Sequence, residues 1–122
     1  MKRCMIVDDS NVICKVAKRI LAGPDMLVVE AGTAGEALSM CMADLPDIIL
    51  VDAGLPDMDT IEFIRRVAAI DEHARPHMVI SLTEFDVGTI MRAKRAGARG
   101  YILKPFNRTQ LLDRFREMEL AA

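Results

Sequence analysis

The sequence predicts one α/β domain, a doubly wound parallel sheet of five strands in the order 2-1-3-4-5, and three observations carry that expectation. Short apolar runs alternate with amphipathic segments along the whole chain. The apolar runs are continuous, as suits strands covered on both faces. Carboxylate, hydroxyl or ammonium residues stand at the ends of the first, third, fourth and fifth runs, where such folds place their ligands.

The first run, "CMIVDD" over 4–9, ends on Asp8 and Asp9. Val12, Ile13, Val16, Ala17, Ile20 and Leu21 then repeat with helical period and stop at Gly23-Pro24. A second strand is expected over 26–31, followed by a helix carrying Ala34, Ala37, Leu38 and Cys41, opened by Thr33 with Glu36 three residues on, a capping box. The third run, "DIILVD" over 47–52, ends on Asp52, and the next helix carries Ile61, Ile64, Val67 and Ala68, with Asp59 or Thr60 as its cap. "MVISLT" over 78–83 and "GYILKP" over 100–105 complete the strands, separated by a helix with Val87, Ile90 and Met91 that ends at Gly97. Asn107 and Gln110 open a last helix with Leu111, Leu112, Phe115 and Met118 on one side. Right-handed crossovers leave few topologies for such a sheet, and 2-1-3-4-5 is the commonest small one.

Its 122 residues suit one domain, spanning 1–122, with no room for an output domain. A composition of 52% hydrophobic and 28% charged residues is that of an ordinary globular protein, and a net charge of -2 argues against binding DNA. Neither a signal peptide nor a membrane span is evident, so a cytoplasmic protein is expected. Cys4, Cys14 and Cys41 sit in apolar segments and read as core residues, as do the methionines, including Met40, Met42 and Met91.

Asp8, Asp9, Asp52, Thr83 and Lys104 all fall at one edge of the sheet, with strands 1 and 3 adjacent. Two carboxylates about 5 Å apart repel by roughly 3 kcal/mol at an effective dielectric near 20, so the cluster needs positive charge. All the available ligands are oxygens, which favours a hard divalent cation such as magnesium, and a lysine adds a point charge suited to phosphate oxygens. His73 and His77 lie in the connection before strand 4, away from this edge. Carboxylate, magnesium, lysine and hydroxyl together are equipment for phosphoryl transfer, onto the protein or to water.

In "IVDDS" (6–10), "ILVDAGLPDMD" (49–59), Ala96-Gly97-Ala98 and "GYILKPF" (100–106), the chain resembles the receiver domains of two-component response regulators, and looks like a stand-alone chemotaxis-type receiver. That resemblance spans the whole chain and implies a flavodoxin-like (βα)5 fold. It implies a phosphoacceptor signalling domain and not an enzyme, with Asp52 taking a phosphoryl group from a sensor histidine kinase or phosphotransfer protein. Magnesium would be held by Asp9, Asp52 and the main-chain carbonyl of Gly54, with Asp8 supporting the metal through water. Lys104 would pair with the phosphoryl oxygens, next to a cis Lys104-Pro105 peptide. Tyr101 matches a switch position on the output face made by helix 4, strand 5 and helix 5, through which a downstream protein would be contacted. Arg92, Lys94, Arg95 and Arg99 near that face form a candidate docking patch for an acidic partner or an anionic ligand.

Three residues depart from the family's pattern. The hydroxyl that bonds the phosphoryl group falls on Leu82 at the most usual spacing, flanked by Ser81 and Thr83, and Thr83 is the expected substitute. Thr60 stands where glycine is usual, and Gly54 where many relatives carry a side chain. A small magnesium-dependent phosphatase of haloacid dehalogenase type is the competing reading, although it needs Asp-x-Asp after strand 1 where this chain has Asp-Asp-Ser. A flavin binder and a P-loop protein are disfavoured by the absence of their phosphate loops.

Overall fold

The structure is a computed structural model, and it describes residues 1–121. Strands and helices alternate strictly: β1 (Lys2–Val7), α1 (Asn11–Leu21), β2 (Met26–Ala31), α2 (Ala34–Ala43), β3 (Ile48–Asp52), α3 (Thr60–Ile70), β4 (His77–Leu82), α4 (Val87–Ala96), β5 (Ala98–Leu103) and α5 (Arg108–Glu117). All pairings are parallel and the order is β2-β1-β3-β4-β5, as the sequence predicts.

The continuous apolar runs are explained by two cores, one on each face of the sheet. Met5, Val7, Ile49, Val51, Met78 and Ile80 pack under α2, α3 and α4. Cys4, Ile6, Ile48, Leu50, Val79 and Ile102 pack under α1 and α5. Each fully buried Ile or Leu contributes roughly 1.5–3 kcal/mol relative to exposure. Burial also pushes the Cys4 thiol up to about 12, so it packs as a neutral core group.

Three strands end earlier than expected, which places Asp8 and Asp9, Thr83 and Lys104 just beyond the sheet; Asp52 alone remains the last residue of its strand. Strand β1 stops because the chain turns into α1. The Asp8 N–H still donates to Ala31, but the Ser10 N–H donates to Asp8 Oδ1 at 2.9 Å, and the Ser10 hydroxyl accepts the Ile13 N–H as N-cap.

One cap differs from expectation, and another takes one of the two residues expected for it. At α2, Thr33 accepts the Glu36 N–H, but Glu36 Oε2 accepts from Gly32 rather than from Thr33, so the box is displaced by one residue. At α3, Asp59 is the N-cap without a side-chain bond, and Thr60 is the first helical residue. The capping box of Asn107 and Gln110 is complete. Gly97 ends α4 with φ 128°, a region that favours glycine, and its N–H donates to the Ala93 and Lys94 carbonyls. Met42 and Met91 prove exposed, at 70% and 43%, because their positions on α2 and α4 face outward. Among the described residues no helix is long and apolar enough to cross a membrane.

Candidate functional site

Side chains alternate along a strand, and this period decides what reaches the carboxyl edge. Asp8, Asp52 and Lys104 continue the even-numbered positions that β1, β3 and β5 turn toward α1 and α5, with Ile6, Leu50 and Ile102 beneath them. Asp8 and Asp52 are only 3% and 9% exposed. Oxygens of Asp8, Asp9 and Asp52 lie within 4.8 Å of one another.

Lys104 reaches this cluster from the far strand. Its Nζ donates to Asp8 Oδ2 at 2.7 Å and also to Asp52 Oδ1. The remaining oxygen of each aspartate is held by the backbone N–H two residues on: Ser10 N–H bonds Asp8 Oδ1, and Gly54 N–H bonds Asp52 Oδ2 at 3.1 Å. Burial alone would push the Lys104 pKa down; the bonds to Asp52 and Asp8 outweigh it, and the net direction is upward, so the ammonium stays charged.

Three carboxylates against one ammonium leave two negative charges, with Asp9 exposed at the mouth of the crevice. An all-oxygen donor set with that residual charge fits a hard divalent cation. A cavity of about 690 Å³ opens beside it, with Asp52, Gly54, Leu82, Thr83, Phe85 and Lys104 in its wall. The Lys104–Pro105 peptide is cis, as expected.

At the end of β4, Leu82 is buried and turns with Met78 and Ile80 toward α3 and α4, whereas Thr83 is exposed beyond the strand and lines the cavity. Ser81, the other flanking hydroxyl, is buried opposite Asp52 in the register, and its carbonyl accepts the Ala53 N–H. A side chain at Gly54 would sit in ordinary contact, its Cβ 3.6 Å from Asp52 Oδ2, so space does not require glycine there.

Tyr101 is half-buried between two neighbours: Phe85 meets it edge-on at 5.7 Å, and the Arg114 guanidinium lies 4.6 Å from its ring centre. Phe85, Val87, Met91 and Leu103, in α4, β5 and the loop before α4, are exposed. Of the four basic residues expected as one patch, Arg92 and Arg99 meet different neighbours. Arg92 bonds Thr89 and lines a cavity with Asp59 and Thr60, while Arg99 donates to His77 Nδ1 at the amino end of β4. Lys94 and Arg95 are exposed in the last turn of α4. Their closeness in sequence does not show which neighbours each would reach.

Two contacts escaped the sequence reading. The buried Thr60 hydroxyl donates to the main-chain carbonyl of Asp52 at 2.8 Å. The Asp57 carboxylate, in the loop after β3, accepts the N–H groups of Ala34 and Gly35 at the start of α2, both at 2.9 Å.

The model of the response regulator receiver domain matches residues 4–116. The chain is 37% identical to a protein-glutamate methylesterase/protein-glutamine glutaminase of a Nocardioides species over 86% of its own length, but spans only 29% of that protein. It is 30% identical to the chemotaxis protein CheY of Halobacterium salinarum, covering 92% of each chain. Among solved structures, the chemotaxis response regulator CheY4 of Vibrio cholerae superposes with a TM-score of 0.88 at 27% identity, over 97% of this chain and 98% of that one.

Proposed function

The chain belongs to the response regulator receiver domain family, the phosphorelay module of two-component signalling, and on that premise we propose that Asp52 is its phosphoacceptor and a histidine kinase or phosphotransfer protein its donor. The observation that carries this reading is the Lys104 ammonium bonded to both Asp8 and Asp52, with the Asp9 carboxylate beside them.

A carboxylate oxygen of Asp52 attacks the phosphorus of the partner's phosphohistidine. The phosphorus–nitrogen bond breaks, its electron pair returns to the imidazole, and an acyl phosphate remains on Asp52. Lys104, already at Asp52, pairs with the incoming phosphoryl oxygens, and the Thr83 hydroxyl donates to them from the cavity wall. Asp9, Asp52 and the main-chain carbonyl of Gly54 are the groups that would hold magnesium, with Asp8 supporting it through water; the ion supplies neutralisation of the phosphoryl charge. Hydrolysis reverses the modification: water attacks phosphorus, inorganic phosphate leaves and the carboxylate is restored.

The signal passes through protein contacts of the face made by α4, β5 and α5. Its exposed Val87, Met91 and Leu103, with Phe85 against Tyr101, offer apolar surface for a downstream partner. The cytoplasm is the compartment that suits such a relay.

A phosphatase of haloacid dehalogenase type would need Asp-x-Asp after β1, and this chain has Asp8-Asp9-Ser10 there. The test is incubation with magnesium and acetyl phosphate followed by intact-mass measurement. Wild type gains one phosphoryl group and Asp52→Asn gains none; equal labelling of the two, or steady turnover of unrelated phosphate esters, would overturn the proposal.

A further inference from the structure

At the end of β3 the sheet leaves one backbone group without a ladder partner. The β1–β3 register stops at Val7 and Val51, one residue short of Asp52, and the Asp8 N–H donates instead to Ala31 on β2. The Ala53 N–H bonds Ser81 on β4. The Asp52 carbonyl is reached by a side chain: the Thr60 hydroxyl, 3% exposed, donates to it at 2.8 Å.

We propose that Thr60 is a positioning residue for the phosphoacceptor, an inference that rests on the proposed role of Asp52. Thr60 begins α3, and its β-branched side chain has few rotamers, so the hydroxyl is fixed by the helix that carries it. Helix α3 is buried against the sheet through Ile61, Phe63 and Ile64. The hydrogen bond closes the base of loop 53–59 and ties the phosphoacceptor's own peptide to the body of the protein.

With its carbonyl held by Thr60 and its carboxylate held by Lys104 and the Gly54 N–H, Asp52 has little freedom left. Attack on phosphorus demands that kind of placement, because a nucleophile displaced by a fraction of an ångström loses rate with every donor.

The test compares Thr60→Val, which keeps the shape and deletes the donor, with Thr60→Ser, which keeps the donor. In saturating magnesium, Thr60→Val takes phosphoryl from both acetyl phosphate and phosphoramidate about three- to ten-fold more slowly, the factor a hydrogen bond of ordinary net strength supplies. Thr60→Ser returns both rates to within about twofold of wild type. Circular dichroism at the assay temperature shows both variants folded. A purely structural role lowers the melting midpoint of Thr60→Val and leaves the rates alone, and that result overturns the proposal, as does equal slowing by valine and serine.

A second readout does not depend on phosphorylation. The amide NMR cross-peak of Gly54, which bonds the Asp52 carboxylate, shifts in Thr60→Val and returns in Thr60→Ser. If wild type acquires no phosphoryl group on Asp52, the phosphoacceptor reading fails, and an unmoved Gly54 peak in Thr60→Val refutes the positioning separately.

Discussion

The ammonium of Lys104 stands 2.7 Å from Oδ2 of Asp8 while bonding Asp52 as well, so one cation serves two buried carboxylates. Removing it in Lys104→Met leaves those charges facing each other and Asp9 with no internal counter-ion. Breaking a buried pair in this way costs about 3 kcal/mol. Urea unfolding without divalent cations should show that loss, and saturating magnesium should restore more stability to the variant than it adds to wild type. An unchanged midpoint in the absence of magnesium would contradict the pairing.

The Asp57 carboxylate has its pKa pulled below 3.8 by the N–H groups of Gly35 and Ala34. A depressed folded-state value means that its contribution is fully present above pH 3.8 and is lost as pH falls through the lower folded value. Acid unfolding of Asp57→Ala should therefore be less steep below pH 3.8 than that of wild type, with a lower melting midpoint at neutral pH from the exposed donors of α2. Parallel acid limbs for the two proteins would count against this bond.

Thr83 and Leu82 make opposite predictions. Thr83→Ala should leave stability within about 0.5 kcal/mol of wild type and slow phosphoryl gain about ten-fold through loss of a charge-assisted bond. Leu82→Ala removes a side chain from the core beside Ile80 and Ile90 and should cost about 2–3 kcal/mol. Titration in denaturant and the acetyl phosphate time course separate the two effects.

Gly97 and Gly54 likewise divide by backbone and not by space. At Gly97 the nearest atoms to an added Cβ lie at 3.8 Å, yet φ is 128°, so Gly97→Ala should lose about 1–2 kcal/mol from strain alone. Gly54→Ala, without that φ, should stay within about 0.5 kcal/mol of wild type. Equilibrium unfolding of both variants checks the contrast.

The chain holds one tyrosine and no tryptophan, so its near-ultraviolet emission comes from Tyr101. Phosphorylation that turns this ring away from Phe85 and Arg114 should change that emission in wild type and leave Asp52→Asn unchanged. Constant emission in fully phosphorylated protein would remove Tyr101 from the switch.

The strand count, topology and strand-end carboxylates were legible because they follow from local period: apolar runs on strands, helical spacing between them, and the two-residue alternation that turns Asp8, Asp52 and Lys104 to one side. Strand limits were misread by a residue or two because backbone pairing and hydrophobicity do not start and stop together: β1 pairs from Lys2, two residues before its apolar run opens at Cys4. Thr60 and Asp57 were illegible for a different reason. Thr60 was visible as a departure from glycine, but its partner is a carbonyl, which every residue carries. Asp57 looks like an ordinary turn aspartate, and its donors lie 22 and 23 residues earlier, on another helix. The basic residues 92–99 formed one cluster on paper because sequence proximity does not show that Arg92, on α4, turns to Thr89 while Arg99, on β5, meets His77.

Lys104 follows the edge strand β5 and reaches across β4 to residues 52 and 96 positions earlier in the chain. A nascent chain emerging from the ribosome therefore has all three carboxylates long before it has their cation. Until β5 docks, those carboxylates lack the ammonium that bonds two of them in the folded chain. On the proposed role of Asp52, competence to take a phosphoryl group would arrive only with the strand that is made last.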